Sequence, residues 1–285
     1  MMSTSKPCVY LFVLLAFVLF SGTALPGFAQ KMNSSCDEDC SFVLLNEEEG
    51  KFHFVNRSRA ETRFTPYSSF KIANTLIAIE TGQWNDVSQT FSVNTSAYPI
   101  ESWWPKRWYQ APLTLREAFH ASALPIYRQL AVDIGEVAME RVLSGFQYGN
   151  SDISSGLDDF WLNGSLQISA VEQVCFLRRL ARRELPLKAK SFAAVETIME
   201  VDLDQEPNWF ADEFTGQAGN VRLFAKTGAG PISKGRFIGW YVGYVQNAEG
   251  NHYFALNVEA DSFKALQGAR KAKVLQQLKA FKVLK

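Results

Sequence analysis

This chain has no excess of either charge. Its 29 Lys and Arg are matched by 29 Asp and Glu over 285 residues, so the formal net charge is zero. A nucleic-acid binder carries a basic excess that neutralises phosphates, and no such excess exists here. Histidine is scarce: His53, His120 and His252 are scattered and give no metal-ligand spacing, so no metal site is expected. Past residue 30 no apolar run is long enough to span a membrane, and there is neither an internal repeat nor a low-complexity linker. Hydrophobic residues make up 47% and charged residues 20%, which fits a packed soluble globule long enough for one large domain or two small ones.

The one long apolar stretch lies at the start. Lys6 precedes the run Cys8 to Phe20, and small residues follow as far as Gly27-Phe28-Ala29-Gln30. This is the pattern of a secretory signal cleaved after Ala29, with an apolar core too short to favour a spanning helix. Residues 1–29 are therefore expected to be a signal peptide, and 30–285 a single domain with no stable membrane insertion. Cleavage removes Cys8. An oxidising compartment permits a Cys36–Cys40 disulfide, which would staple only the N-terminal tail, and Cys175, in an apolar helical stretch, reads as a buried thiol.

Two tetrads carry the chemistry: Ser68-Ser69-Phe70-Lys71 and Lys226-Thr227-Gly228-Ala229. Thr65-Pro66-Tyr67 precedes the first, and Pro66 favours a helix starting just after it. Ile72, Leu76, Ile77 and Ile79 then keep an apolar stripe. Residues three apart share a helix face, so Lys71 can lie beside Ser68, and a serine near a helix N-terminus has unpaired N–H groups that stabilise developing negative charge. The second tetrad follows the apolar run Val221 to Ala225 and reads as the end of a strand. Together they point to a serine acyl-transfer enzyme whose base is a lysine. Alone, each is an ordinary surface pattern: Ser3-Thr4-Ser5-Lys6 repeats the first spacing inside the N-terminal segment.

The texture changes along the chain. Ser41 to Leu45 and Phe52 to Val55 are strand-like, joined by a turn at Asn46–Gly50. Residues 68 to 200 are mainly helical in pattern, with helices predicted over Leu115 to Ser122, Tyr127 to Ser144 and Ala170 to Arg183. The pairs Arg178-Arg179 and Arg182-Arg183 read as the solvated side of the last of these. Val221 to Lys226, Arg236 to Gln246 and Tyr253 to Val258 are predicted strands, and a basic amphipathic helix closes the chain from about Leu266. Strands at both ends with helices between imply an α/β (α+β) fold, in which the chain ends meet in one antiparallel sheet flanked by helices. A mainly helical lobe, within about 85–200, would leave a cleft for the site.

Between the tetrads lie Ser122-Ala123-Leu124-Pro125-Ile126-Tyr127, then Tyr148-Gly149-Asn150, then Gly156-Leu157-Asp158-Asp159-Phe160-Trp161-Leu162. This ordered set, from Arg63 to the region of Arg270, resembles the class D (oxacillinase-type) serine β-lactamases. The resemblance implies the β-lactamase/transpeptidase-like fold and hydrolysis of β-lactam antibiotics such as penicillins. It assigns Ser68 as nucleophile and Lys71 as a base N-carboxylated by carbon dioxide. Trp161 would donate its indole N–H to that group beside Leu124, and Ser122, between Ser68 and Lys226, would relay protons to the departing nitrogen. Ser68 and Ala229 would supply the oxyanion-hole amides, and Gly228 would let the substrate approach the strand edge. Thr227, Gly228, Ala229 and Arg270 would bind substrate, with Lys226 adding positive potential and Lys264 a rival to Arg270 for the substrate carboxylate. Tyr148-Gly149-Asn150 is read as a structural turn shaping the site wall, and Asn74 as a buried hydrogen-bonding residue.

The resemblance further implies a bacterial periplasmic protein, monomer or homodimer, with no metal or organic cofactor and no nucleic-acid partner. Trp103, Trp104, Trp108 and Tyr109, interleaved with Pro105, Lys106 and Arg107, are read as packing over the cleft mouth, with a sugar contact as the sharper alternative. Leu124 departs from the family, which usually has valine there. Two other functions stay open: a penicillin-binding D,D-peptidase, which shares both tetrads but usually has asparagine at position 124, and a β-lactam sensor that acylates and stalls.

Overall fold

The computed structural model describes residue 36 and residues 38–85, 88–217 and 220–285. The expected signal peptide, 1–29, lies outside the described residues. Residues 35–285 form one compact unit.

The chain opens with a hairpin, β1 (Cys40–Asn46) and β2 (Lys51–Val55), followed by the short α1 (Arg57–Glu61). A 3-10 turn, Tyr67–Phe70, leads into α2 (Lys71–Thr81), which ends on Gly82 in the left-handed region, where glycine carries no steric cost. The pair β3 (Thr90–Phe91) and β4 (Leu113–Thr114) forms a small ribbon. The helical lobe follows: α3 (Leu115–Ala121), α4 (Leu124–Ile134), α5 (Glu136–Phe146), α6 (Ala170–Ala181) and α7 (Ala189–Met199). Then come α8 (Asn208–Thr215), β5 (Arg222–Pro231), β6 (Phe237–Asn247), β7 (Gly250–Ala260) and α9 (Phe263–Ala280).

The two chain ends meet as the alternation requires. The five-stranded sheet runs β2-β1-β7-β6-β5, antiparallel at every pairing, with β1 from the N-terminal part between β2 and β7. Its faces are both covered. One packs, through residues such as Phe224, Trp240 and Tyr253, against the helical lobe; the other, through Phe42, Tyr241 and Phe254, against α9 and α8. Burial on both sides explains why these strands read as near-continuous apolar runs rather than alternating ones.

Several expectations shift. The predicted helix from Tyr127 to Ser144 is two helices, because Gly135, at φ 79°, breaks the run between Ile134 and Glu136. Helix α8 had no prediction. The nucleophile segment does not enter the α-helix directly after Pro66: Tyr67 sits at φ +49° and the 3-10 turn intervenes. The Lys226 tetrad lies inside β5 rather than at its end. Arg179 is not simply solvated, since its guanidinium donates to the Phe146 carbonyl at 2.7 Å and so caps α5. Cys36 and Cys40 are disulfide-bonded. Cys175, expected as a buried thiol, is half-buried and disulfide-bonded.

Candidate active site

The environment of Lys71 follows from α2. From Lys71 to Ile79 every residue of that helix is buried, its first residue included. An apolar helix surrounded by α4, α5 and α7 is a core helix, and Lys71 inherits that burial. Desolvation lowers its pKa to about 7, close to the point where half the amines are neutral. The amine lies 2.8 Å from Ser68 Oγ and 5.0 Å from the Tyr127 ring centre. Ser68 itself is half-buried and so remains accessible.

Strand alternation on β5 places Lys226 on the same face as Phe224, toward the helical lobe. Its amine donates to Ser122 Oγ at 2.5 Å and to the Thr227 carbonyl at 3.1 Å. Burial holds its pKa well below the ordinary lysine value, and the positive charges of Lys71, Arg270 and Lys271 push it further the same way. Ser122 is the left-handed C-cap of α3, at φ 54°, which turns its hydroxyl away from the helix axis and toward β5. The preceding carbonyl, Ala121, accepts the indole N–H of Trp108 at 2.9 Å, and Trp108 stacks edge-on with Trp103. The aromatic cluster thus packs behind the Ser122 turn.

Gly228 and Gly230 share the face of Lys226. A methyl group on Gly228 would lie 2.8 Å from the Pro66 carbonyl oxygen and 2.9 Å from the Ser69 amide nitrogen. The bare backbone of β5 therefore packs on the nucleophile turn, a contact that glycine alone permits. On the other face Arg270 is buried and donates to the Gly228 carbonyl at 2.7 Å and, through Nε, to the Leu266 carbonyl at 3.0 Å. Lys264, its rival, is exposed at the start of α9. Among the described residues, no carboxylate lies in ion-pair contact with Lys71, Lys226 or Arg270. Of the three, Arg270 stays charged near neutrality, while burial favours the neutral amines of Lys71 and Lys226.

Trp161 is fully buried, stacked on Phe70 at 5.4 Å, and its indole N–H has no hydrogen-bond partner among the described residues. Leu124 opens α4, partly buried against the lobe's core. Thr227 and Ala229 are half-buried along β5.

The Ser68–Lys71 pair and the Ser122–Lys226 pair are held at one end of the sheet, and the whole chain has known relatives. The model of the penicillin-binding protein transpeptidase domain matches residues 40–279. The chain is 34% identical over 242 residues to β-lactamase OXA-48 of Klebsiella pneumoniae, covering 85% of this chain and 83% of that one. The chain belongs to the class D β-lactamase family. It is also 34% identical over 222 residues to β-lactamase OXA-5 of Pseudomonas aeruginosa, covering 78% and 76%. Among solved structures, the class D β-lactamase FUS-1 (OXA-85) of Fusobacterium nucleatum subsp. polymorphum superimposes with a TM-score of 0.74 at 32% identity, covering 86% of this chain and 93% of that one.

This class D chain also has supports that sequence reasoning missed. Ser69 accepts from Gln173 Nε2 at 2.9 Å and donates to the Pro66 carbonyl at 2.8 Å, and Tyr148 reaches Gln173 at 3.3 Å. Trp240, paired with Gly228 across β5 and β6, donates to the Thr65 carbonyl at 2.9 Å. Arg128 on α4 pairs with Asp158 at 2.7 Å, tying the Trp161 loop to the helix that Leu124 begins. Glutamine and tryptophan in a class D sequence carry no mark of the Gln173–Ser69 and Trp240–Thr65 contacts, which join segments over 100 residues apart. Tyr148-Gly149-Asn150 does carry one. Gly149, at φ 57°, lies where a methyl would meet the Gln167 carbonyl oxygen at 2.0 Å, and Asn150 binds the Ser165 carbonyl and the Gln167 amide at 2.7 and 2.9 Å.

Proposed function

We propose that this chain hydrolyses β-lactam antibiotics through an acyl-enzyme on Ser68. The observation that carries the reading is the hydrogen bond from a buried, readily neutralised Lys71 amine to the half-exposed Ser68 hydroxyl. The neutral amine takes the hydroxyl proton as Ser68 Oγ attacks the lactam carbonyl carbon. The resulting oxyanion is held by the amides of Ser68 and Ala229. The lactam C–N bond then breaks, and the departing nitrogen receives a proton from Ser122, which is replenished from Lys226. Water, activated at Lys71, attacks the ester and frees Ser68. Thr227 and Arg270 hold the substrate carboxylate; the burial of Arg270 under Gly228 favours it over the exposed Lys264. Arginine suits the task because its charge is permanent and its donors form a flat fork.

N-carboxylation of Lys71 by carbon dioxide would supply a stronger, anionic base. The unpartnered, buried indole N–H of Trp161 is a donor suited to it. A neutral amine is the form that reacts with carbon dioxide, and the low pKa of Lys71 provides it.

The protein is further proposed to be secreted to the bacterial periplasm after cleavage near Ala29, and to work there as a monomer or homodimer without a metal or organic cofactor. The family model's penicillin-binding transpeptidases give the competing reading, an enzyme that acylates but turns over slowly. A chromogenic cephalosporin assay with and without bicarbonate separates the two. Fast turnover that needs bicarbonate is expected; a stable adduct by intact mass would instead mark a sensor or D,D-peptidase. Ser68→Ala should abolish both turnover and adduct. Leu124→Val should raise turnover by relieving crowding where carbon dioxide and water must enter. Unchanged turnover with unchanged bicarbonate dependence would refute that role for Leu124.

A further inference from the structure

The residue just before the nucleophile is an aromatic one in a conformation aromatics rarely adopt. Tyr67 sits at φ +49°, in the left-handed region, where a bulky side chain pays a steric cost unless its surroundings hold it. Its surroundings do. The ring lies directly over Gly230 of β5: a methyl group there would fall 1.9 Å from Tyr67 Cε1 and 2.3 Å from Cδ1. The phenol donates to the carbonyl of Pro231, the last residue of the strand. The Tyr67 amide donates to the Trp161 carbonyl at 3.1 Å. The side chain is 6% exposed, so it is held rather than free.

These contacts bracket one residue. Gly228 rests on the backbone of Pro66 and Ser69, Gly230 rests under the Tyr67 ring, and Ala229 lies between them. β5 is an edge strand of the sheet; on the side away from β6, Glu200 and Val201 bridge Phe224 and Leu223, while the stretch from Gly228 to Pro231 meets the nucleophile turn. Tyr67 is covalently joined to Ser68, so the same residue grips both walls of the oxyanion hole.

We propose that Tyr67 is a positioning residue that sets the spacing of the Ser68 and Ala229 amides by clamping the end of β5, through its ring on Gly230 and its phenol on the Pro231 carbonyl. The proposal deepens the acyl-enzyme reading above and rests on it. A left-handed Tyr67 presents Ser68 at the start of the turn, and the clamp stops the β5 edge from drifting away as charge develops on the lactam oxygen. Its loss acts on the transition state more than on substrate binding.

The test uses Tyr67→Phe, Tyr67→Ala, Gly230→Ala and the Tyr67→Ala/Gly230→Ala pair in the full mature protein. Three quantities are read: single-turnover acylation by intact mass, inhibition by phenylboronic acid, which places an oxygen in the oxyanion hole when it bonds Ser68 Oγ, and Tm. Tyr67→Phe keeps the ring and the fold and should acylate about tenfold more slowly, the loss of one hydrogen bond. Tyr67→Ala should acylate roughly a hundredfold more slowly, with phenylboronic acid weakened in step and KM nearly unchanged. Gly230→Ala should be impaired in the wild-type background but cost little more in the Tyr67→Ala background, where the colliding ring is gone. Tyr67→Ala that acylates and binds the boronate like wild type while only Tm falls would overturn the clamp, as would additive effects in the pair. Wild-type protein that forms no adduct at all would instead overturn the Ser68 reading on which the clamp rests.

Discussion

Lys71 is the position where burial and chemistry meet most directly. An amine at the first turn of a helix buried from Lys71 to Ile79, with no carboxylate in ion-pair contact among the described residues, destabilises the fold when charged. The sign follows from proton counts. Between the folded pKa of about 7 and the unfolded value of 10.5 the unfolded chain binds more protons, so Lys71 makes the native state more stable as pH rises through that window. Below about 7 both states are protonated and the penalty is at its full size. Lys71→Met should therefore abolish turnover yet raise the urea midpoint at pH 6. Its advantage over wild type should shrink by pH 9, both measured in carbon-dioxide-depleted buffer. An advantage that is constant with pH would show that Lys71 is not desolvated. The same neutralisation predicts an acylation rate that climbs as pH rises through about 7.

At the scale of elements, the end of α3 shows how local geometry is separated from chemistry. Ser122 is there both as a left-handed cap and as a hydroxyl bonded to Lys226. Ser122→Gly keeps the cap conformation at no steric cost, while Ser122→Ala keeps a side chain at φ 54° and loses the hydroxyl. Both should lose most turnover, but Ser122→Ala should also be less stable than Ser122→Gly, by about 1 kcal/mol, in urea titration. Equal stabilities would mean that the turn is held from outside, by Trp108 on the Ala121 carbonyl. Most elements were legible because period and composition set them: the Asn46–Gly50 turn, the apolar runs of β5 to β7 and the helix over Ala170 to Arg183 all follow from short windows. The break at Gly135 and the 3-10 entry at Tyr67 were not. A single glycine inside an apolar helical pattern is ambiguous, and a positive φ at tyrosine depends on Gly230 and Pro231, more than 160 residues away.

On the scale of the whole molecule, Arg270 links the last helix to the site-bearing strand. Its guanidinium is buried against the Gly228 carbonyl, and a methyl on Gly239 would press its Cδ at 2.9 Å. Burial lowers its pKa to about 10, still far above neutrality, so it stays charged. Arg270→Ala should raise KM for penicillins and lower Tm together, because one side chain braces α9 on β5 and offers the charge. A raised KM with unchanged Tm would confine it to substrate binding. The amino-acid sequence by itself determined most elements and paired Ser68 with Lys71, because spacing along a helix fixes which side chains share a face; the ordered motifs carried the resemblance that pointed to the family and to Ser122 with Lys226. Only the tertiary structure decided that both site lysines are desolvated, that Arg270 rather than Lys264 reaches β5, and that Tyr67 grips the strand's end. Burial and close approach are properties of segments brought together from opposite ends of the chain, and no local window contains both partners.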